Sequence, residues 1–206
     1  MAKPPFSIVL VNYKTLDLTR ICLDLLREPA RKAGIPVWVV DNDSADASVE
    51  YLRSLDWINL IERAAPGKEP GHIAHGKALD MALARVDTDY LFLMHTDTFV
   101  FDADVFAMMM EHCTQDRNVI AVGCTEQLNR GLPRTVWRFT SRFAKHHFRR
   151  LKRSLGLRSK EPKPYTETYL KSFCTLWNCR LMKQQGLHFQ IDDRVPGYEL
   201  QDRVIG

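Results

Sequence analysis

Residues 90–98 of the chain read YLFLMHTDT, and this stretch decides the fold. Tyr90–Met94 is a continuous apolar run of strand length, and it stops at the polar residues His95-Thr96-Asp97-Thr98. A strand with one face in solvent alternates apolar and polar residues, whereas a run without alternation predicts a strand buried on both faces. Such strands are typical of parallel sheets that are covered by helices on both sides.

The same pattern extends outward from this stretch over the first 125 residues. Further strands are predicted at Phe6–Val11, Pro36–Val40, Trp57–Ile61 and Val119–Val122. Between them, helical spacing of apolar residues predicts helices at Leu16–Leu26, Ala47–Ser54, Ala74–Ala84 and Asp102–His112. Alternating strands and helices predict an α/β, Rossmann-like fold with a mostly parallel central sheet and helices on both faces.

Polar residues that could bind a ligand or take part in catalysis follow three of these strands. They are Asn12-Tyr13, Asp41-Asn42-Asp43 and His95-Thr96-Asp97. Open α/β sheets bind ligands at the carboxyl ends of their strands, so we expect a site there. The chain contains neither GxxxxGK[ST] nor GxGxxG, which excludes a P-loop or a dinucleotide fingerprint.

The carboxylates at this edge suit a hard divalent cation, Mg²⁺ or Mn²⁺, that keeps phosphate oxygens as its other ligands. We predict Asp97 as the metal carboxylate, with His95 as an imidazole ligand or a phosphate donor. Tyr13 would offer an aromatic face to a nucleobase, and the Asp41-Asn42 pair would offer it a hydrogen-bonding edge.

Each of these assignments has a structural alternative. Asp97 and His95 would also suit a turn that ends the strand, and Tyr13 would suit the edge of the core. Asp41-Asn42 would also form an Asx-turn, and either Asp43 or Ser44 is expected to cap the next helix. A zinc site at His72 and His75 is disfavoured, because no cysteine or further histidine partner accompanies them.

Charge is concentrated in one segment of the chain. Between Arg130 and Lys163 there are twelve Lys or Arg residues and one acid, whereas the rest of the chain has 17 bases and 24 acids. The segment has apolar residues at roughly helical spacing, which are Phe139, Phe143, Phe148, Leu151 and Leu155. We favour a combination of an amphipathic helix on an anionic membrane (residues 137–155) and a flap over a diphosphate. A solvated loop remains open, and a nucleic-acid surface is disfavoured.

The final third of the chain has a weaker pattern. Thr168–Trp177 alternates as a strand does, and Cys179–Gln185 predicts a helix that ends at Gly186. Tyr198-Glu199-Leu200-Gln201-Asp202 predicts the start of a helix, and the chain stops four residues later. We therefore expect either missing residues or an unusually short C-terminus.

Composition narrows the class of protein. The chain has 206 residues, a net charge of +4 and no run of eighteen apolar residues, which excludes a transmembrane helix. The apolar run near the N-terminus lacks a cleavage site and predicts a first strand, not a signal peptide. Five cysteines without a CxxC pair favour reduced thiols, and therefore a cytoplasmic protein with at most a peripheral contact at the inner face of the membrane.

The order of these segments resembles that of the family 2 glycosyltransferases. The resemblance covers most of the chain, through SIVLVNYKTLDLTRICLDLL (7–26), VVDNDSAD (39–46), HGKALDMALARVDTDYLFLMHTDT (75–98), FCTLWNCRLMKQQGLHF (173–189) and GYELQD (197–202). It implies a GT-A fold and an inverting transferase that uses a nucleotide diphosphate sugar and a divalent metal. The implied organisation is one domain, 1–206, with a nucleotide-binding half (1–125), a basic helical insertion (126–167) and an acceptor half (168–206).

The resemblance also assigns residues. Val11, Tyr13, Asp41 and Asn42 fall on nucleoside-contacting positions, and His75 heads the helix beside the diphosphate. His95-Thr96-Asp97 stands at the Asp-x-Asp metal motif, with Asp97 and His95 as the implied metal residues and Thr96 among those that bind the nucleotide. Glu199 and Asp202 fall on the late acidic motif and are the implied catalytic residues.

Two positions depart from the family pattern. His95 replaces the first Asp of Asp-x-Asp, which leaves a single carboxylate for the metal. Leu200 replaces the residue that is often the catalytic base, so Glu199 or Asp202 would have to serve, or Asp192 or Asp193 upstream.

The implied activity is transfer of a sugar to a saccharide or lipid-linked acceptor, in the synthesis of a cell-surface polysaccharide or glycolipid. The alternative is a non-catalytic module on the same fold that binds a nucleotide or a nucleic acid.

Overall fold

The computed structural model describes residues 4–65, 67, 69–116, 118–124, 131–159, 170 and 172–190. Strands and helices alternate through most of this part of the chain. Their order is β1 (Phe6–Asn12), α1 (Leu16–Ala33), β2 (Val37–Asn42), α2 (Ala47–Arg53), β3 (Asn59–Arg63), α3 (Gly71–Arg85), β4 (Tyr90–His95), α4 (Asp104–Thr114), β5 (Ala121–Gly123), α5 (Leu132–Ser154), β6 (Cys174–Asn178) and α6 (Cys179–Gln184).

The six strands form one sheet in the order β3-β2-β1-β4-β6-β5. β1 pairs in parallel with both β2 and β4, and β2 pairs in parallel with β3. β6 runs antiparallel to its neighbours β4 and β5. The predicted α/β fold with a mostly parallel sheet is therefore confirmed, with β6 as the one reversed strand among those described.

Each face of the sheet carries its own core, because successive side chains of a strand point to opposite faces. In β1, Ile8 and Leu10 pack with residues of α1 and α4, while Val9 packs on the opposite face with residues of α3 and α6. All three side chains are inaccessible to solvent. Burial on both faces explains the apolar runs without alternation in the sequence.

Two predicted boundaries were wrong, and the second of them affects the site. α1 continues past Leu26 and past Pro29 to Ala33, and it ends at Gly34, whose φ of 62° lies in the left-handed region that glycine adopts easily. β2 does not end at Val40 but includes Asp41 and Asn42, which pair with Glu62 and Arg63 of β3. Polar side chains suggested a loop there, whereas backbone pairing continues the strand.

The end of the sheet also differs from the prediction. A strand was predicted at Thr168–Trp177, but β6 covers Cys174–Asn178, and all five of its residues are buried. Because successive side chains point to opposite faces, both faces of β6 are covered, and its position between β4 and β5 pairs both of its edges. The helix predicted from Tyr198 lies outside the described residues.

The chain divides into two compact units. The first comprises Met1–Cys124 with Leu170–Gly206 and contains the sheet, and the second comprises Thr125–Tyr169 and contains α5. The helical spacing predicted for the basic segment corresponds to the helix α5, which has 23 residues.

Two predictions from composition can be compared with the structure. All five cysteines are free thiols, and four of them are buried. Among the described residues, no helix combines the length and the apolar character that crossing a membrane requires.

Candidate active site at the carboxyl edge of the sheet

The carboxyl ends of β1, β2 and β4 bring the predicted loops to one edge of the sheet. Asn12 pairs with Asp41 across β1 and β2, and Val11 pairs with His95 across β1 and β4. Residues 29 and 84 positions apart in sequence are therefore held side by side by backbone pairing. The polar segments that follow these three strands share this edge, as the sequence predicted.

Asn12 is the centre of a buried hydrogen-bond network at this edge. Its amide nitrogen donates to Asp41 Oδ1 at 2.8 Å, and it also lies 2.9 Å from Ser48 Oγ and 3.1 Å from Ser44 Oγ. Its amide oxygen accepts from the hydroxyls of Thr15 and Thr19. Asn12 is fully buried, and the sequence placed it at this edge without assigning it a specific contact. The available signal was a polar residue that ends an otherwise apolar strand.

Asp41 points into this network. Its second carboxylate oxygen accepts a hydrogen bond from the backbone N–H of Ser44 at 3.1 Å, and the residue is 3% exposed. The expected cap of the next helix was wrong, because Asp46, not Asp43 or Ser44, accepts from the N–H of Ser48 at the start of α2. Asp41 therefore fixes the loop after β2 from inside.

The two loops next to the network contain backbone in the left-handed region. Lys14, Asp43 and Ala45 have φ values of 55°, 64° and 50°. This conformation is uncommon for residues other than glycine and costs free energy, and it is often found at functional sites. The backbone N–H of Lys14 donates to Ser44 Oγ at 3.1 Å and ties the two loops together.

A second polar chain begins at Asn42. Its side-chain oxygen accepts from Arg63 Nη1 at 2.7 Å, and the buried Arg63 guanidinium forms an ion pair with Glu69, which also pairs with Lys77 of α3. Hydrogen bonds from Lys77 and Arg63 hold the pKa of Glu69 below its usual range. This series of polar contacts joins β2, β3 and α3. Of its four residues, only Asn42 was predicted as a site residue.

The other predicted nucleotide residues differ in accessibility. Tyr13 is 55% exposed, and the ammonium of Lys14 lies 5.3 Å from the centre of its ring. Val11 is partly buried against the core, and Thr96 is buried with its hydroxyl 3.0 Å from that of Thr15. Of these three, Tyr13 is the one that is largely exposed, whereas Val11 and Thr96 are turned toward the protein.

Asp97 occupies the open part of the edge. Its side chain is 64% exposed, and Oδ1 lies 3.8 Å from Nδ1 of His95. The backbone N–H of Thr98 donates to the carbonyl of His95, so a tight turn presents Asp97 directly after β4. The carboxylate is thus accessible to a ligand.

Ser172 connects His95 with His75, and this contact was not predicted. Its hydroxyl lies 2.8 Å from Nε2 of His95 and 3.4 Å from Nε2 of His75, and the two rings meet edge to face at 5.5 Å. Ser172 is 77 positions from His95 in sequence, and it is close because β6 pairs beside β4. No local sequence signal could have identified it.

The two histidines are uncharged at neutral pH. Burial, with a smaller contribution from the nearby His95, lowers the pKa of His75 to about 4. Burial also lowers the pKa of His95, although the charge of Asp97 opposes that shift. Together with Ser172 they offer neutral hydrogen-bonding groups next to an anionic carboxylate.

The donor set fits a divalent cation that arrives with a substrate. Within the described residues, no group of three or more His, Cys, Asp or Glu side chains surrounds a common point. Mg²⁺ and Mn²⁺ accept one or two protein carboxylates and take phosphate oxygens and waters as their other ligands. Asp97 can supply that carboxylate, whereas His95 directs Nε2 to Ser172 and Nδ1 toward Asp97.

The predicted catalytic residues Glu199 and Asp202 lie outside the described residues, and so do Leu200, Asp192 and Asp193.

Comparison with protein families gives this arrangement a context. Residues 7–177 match the model of Glycosyl transferase family 2, which is most of the chain and includes all of the edge described above. The chain belongs to glycosyl transferase family 2. The resemblance seen in the sequence motifs is thereby confirmed. No curated protein matches the chain.

Solved structures share the fold of this family member. The mannosyltransferase PcManGT from Pyrobaculum calidifontis, in complex with GDP-Man and Mn²⁺, matches with a TM-score of 0.65 at 17% identity, over 98% of this chain and 52% of that one. S. aureus TarS 1-349 matches with a TM-score of 0.59 at 14% identity, over 97% and 54%. These likenesses identify the fold as GT-A.

A third structure matches less closely. Glucosyl-3-phosphoglycerate synthase from Mycobacterium tuberculosis, in complex with Mn²⁺, UDP-Glc and phosphoglyceric acid, has a TM-score of 0.52 at 16% identity, over 86% of this chain and 57% of that one. The chain spans little more than half the length of these three structures.

Proposed function

We propose that this chain transfers a glycosyl group from a nucleotide diphosphate sugar to an acceptor hydroxyl, with inversion at the anomeric carbon. The observation that carries the proposal is the exposed Asp97 carboxylate after β4, beside the loops that follow β1 and β2, in a member of glycosyl transferase family 2. Structures of the same fold were solved with GDP-Man, UDP-GlcNAc and UDP-Glc, which supports a donor of this class.

The nucleoside would contact the loops after β1 and β2. Tyr13 has an exposed ring face on which a base can stack, and stacking tolerates any base. Asp41 and Asn42 already accept internal hydrogen bonds, but each of their oxygens has a further lone pair that can accept from the ribose or the base. Because these internal bonds fix both side chains, the nucleoside would meet a rigid surface.

Asp97 would hold Mg²⁺ or Mn²⁺ together with the donor diphosphate, with His95 beside it. A cation bound there would offset the negative charge that develops on the leaving diphosphate. His75, His95 and Ser172 would orient the same diphosphate, because an uncharged imidazole and a hydroxyl can each donate a hydrogen bond to a phosphate oxygen.

The reaction would be a single displacement. A carboxylate removes the proton from the acceptor hydroxyl, and that oxygen bonds to the anomeric carbon as the bond to the diphosphate breaks. We assign the base to Glu199 or Asp202 on the resemblance of GYELQD to the family motif. General-base help of this kind is worth about 10²–10⁴ in rate. The acceptor we propose is a saccharide or lipid-linked hydroxyl in polysaccharide or glycolipid synthesis.

A second candidate function is a non-catalytic nucleotide-binding module. It is favoured by His95, which stands where the family has an acid and whose Nε2 is engaged by Ser172. In that case the chain would bind a nucleoside diphosphate but would not turn over its sugar.

Asp97→Asn tests the proposal. In thermal-shift measurements with UDP, GDP and dTDP, with and without Mn²⁺, we expect at least one nucleotide to stabilise the protein more when Mn²⁺ is present. The variant should lose the Mn²⁺-dependent part of that shift and bind the metal–nucleotide pair about 100-fold more weakly, because the negative charge of the carboxylate ligand is gone and only a neutral amide oxygen remains. Hydrolysis or transfer of the corresponding nucleotide sugar should fall with it.

The matched control is Asp56→Asn, which removes an exposed carboxylate at the opposite end of the sheet, ahead of β3. It should leave the shift unchanged. Full donor turnover by Asp97→Asn would refute the role of this carboxylate. Nucleotide binding without turnover of any of the matching sugars would favour the second candidate.

A further inference from the structure

The helix α5 has an unusual charge content for its length. It extends from Leu132 to Ser154, with Gly131 as N-cap and a proline in its first turn. These 23 residues include eight Lys or Arg and no Asp or Glu. At 1.5 Å per residue the helix is about 35 Å long. Eight positive charges exclude it as a membrane-spanning segment. The question is then what its exposed apolar and basic side chains bind.

Apart from Arg150, the charges and the large apolar side chains of α5 lie on different sides of the helix. Arg150 follows Leu132 by 18 residues, or five turns, and lies on the apolar side. With 3.6 residues per turn, seven of the eight bases, all but Arg150, fall within an arc of about 100°. The large apolar side chains from Leu132 to Leu151 occupy the rest of the circumference. Each of these seven, which include Trp137, Phe143 and Phe148, is between 44% and 81% exposed. The helix therefore presents a wide apolar face and a narrow basic face.

This combination is characteristic of helices that lie in the plane of a membrane surface. Such helices have a strongly charged polar face rich in Lys and Arg, low overall hydrophobicity, and Trp, Phe and Leu on the other face. A basic face next to an exposed apolar face is complementary to a bilayer that presents anionic headgroups above acyl chains. Trp137 has the amphipathic ring that favours the boundary between the two.

The arrangement fits nucleic acid less well. Proteins that bind single strands place aromatic rings within the positively charged groove, so that the bases stack where the phosphates are held. In α5 the rings of Trp137 and Phe143 lie outside the arc that contains the bases. A partner that met both features would have to be anionic and apolar at once, as a lipid leaflet is.

We propose that α5 binds the surface of an anionic membrane, with its apolar face inserted among the acyl chains and its basic face at the headgroup phosphates. The binding is independent of sugar transfer, so it can be tested without a donor or an acceptor. It would hold the chain on the two-dimensional surface where lipid-linked compounds are found.

The experiment is vesicle co-sedimentation of the full chain. Vesicles of phosphatidylcholine alone are compared with vesicles that contain about 30% phosphatidylglycerol, at about 0.1 M salt. We expect sedimentation with the anionic vesicles only. Trp137→Gln with Phe148→Gln, and separately Arg142→Gln, Lys145→Gln and Arg149→Gln together, should each weaken binding at least about 10-fold. Glutamine is a good helix former, so α5 should persist, and circular dichroism checks this.

Matched controls change the same chemistry elsewhere. Ile21→Gln with Met108→Gln removes exposed apolar side chains from α1 and α4, and Arg27→Gln, Lys32→Gln and Arg85→Gln together remove three charges. Both should bind vesicles as the parent chain does. In addition, Trp137→Phe should remove the blue shift of tryptophan fluorescence on vesicle addition, since this ring is expected to enter the bilayer.

Several results would overturn the proposal. They are absence of vesicle binding, equal losses in the control variants, or binding that depends on the bases but not on Trp137 and Phe148. Tight binding of a single-stranded oligonucleotide at about 0.15 M salt without vesicle binding would assign the surface to nucleic acid instead. A dimer that dissociates in the apolar-face variant, again without vesicle binding, would assign it to a second copy of the chain.

Discussion

Two parts of the carboxyl edge use polar residues in opposite ways. Around Asn12, five side chains bond to its amide inside the protein, and the amide itself has no exposed surface. Around Asp97, a carboxylate extends into solvent beside two uncharged imidazoles. The first group uses most of its hydrogen-bonding capacity internally, so it mainly holds shape, whereas the second has most of its capacity left for a ligand. Position at the sheet edge alone does not tell these two roles apart.

Asn12→Ala should have the largest effect on the free energy of unfolding among the variants that test this comparison. It removes the common partner of Asp41, Ser48 and Thr19, and buried groups that lose a partner cost about 1–3 kcal/mol each. We expect the free energy of unfolding to fall by about 3–4 kcal/mol in urea titrations. Asp97→Ala should change it by less than about 0.5 kcal/mol, because that side chain is exposed. Similar values for the two variants would contradict the division into a buried structural group and an exposed group that the fold does not need.

The pH dependence of stability tests whether the histidines near Asp97 are desolvated, as described above. The unfolded chain takes up a proton on His75 near the ordinary pKa of 6.5, whereas the folded chain does so only near a pKa of about 4. The unfolded state therefore binds more protons in this interval, and stability should fall by about 2 kcal/mol between pH 7 and pH 5.

His75→Gln should remove most of that decline, whereas His112→Gln, on the exposed side of α4, should keep it. Urea midpoints measured at each pH provide the comparison. An unchanged slope in His75→Gln would mean that this imidazole is not desolvated in the folded protein.

The smallest expected effect concerns the backbone of the loop after β2, next to the Asn12 network. Ala45 has a φ of 50°, which disfavours a side chain by about 1–2 kcal/mol, and glycine loses about 0.5–1 kcal/mol more backbone entropy on folding. Ala45→Gly should therefore stabilise the protein by about 0.5 kcal/mol. Ala84→Gly, at an exposed helical position in α3, should destabilise it by about 0.5–1 kcal/mol. Destabilisation by both would show that Ala45 is not strained.

Sequence reasoning predicted the edge more accurately than the roles of its residues. The apolar runs located β1, β2 and β4, and the polar residues that end them lie together in the structure. The sequence did not predict which neighbour each of these polar residues bonds to. Asp41 and Asn42 looked alike in the sequence, but Asp41 bonds to the Asn12 network and Asn42 bonds to Arg63. Which neighbour a side chain meets depends on strand register, and a list of residues does not contain it.

The charge of α5 could be read directly from composition, and so could its amphipathic spacing, because a helix places residues at fixed angles. Ser172 was beyond that kind of reasoning. It reaches His95 only because β6 inserts between β4 and β5 in the reverse direction, an arrangement with no signature in the sequence around Ser172.

By itself the sequence determined the class of fold, the edge of the sheet at which the polar segments meet and the amphipathic nature of α5, since each follows from short-range periodicity along the chain. The tertiary structure decided which polar groups are satisfied internally and which remain available. It set Asp41 inward and Asp97 outward, and it brought Ser172 to two histidines. The physical reason is that hydrogen bonding and desolvation depend on neighbours in space, and folding assembles those neighbours from distant parts of the chain.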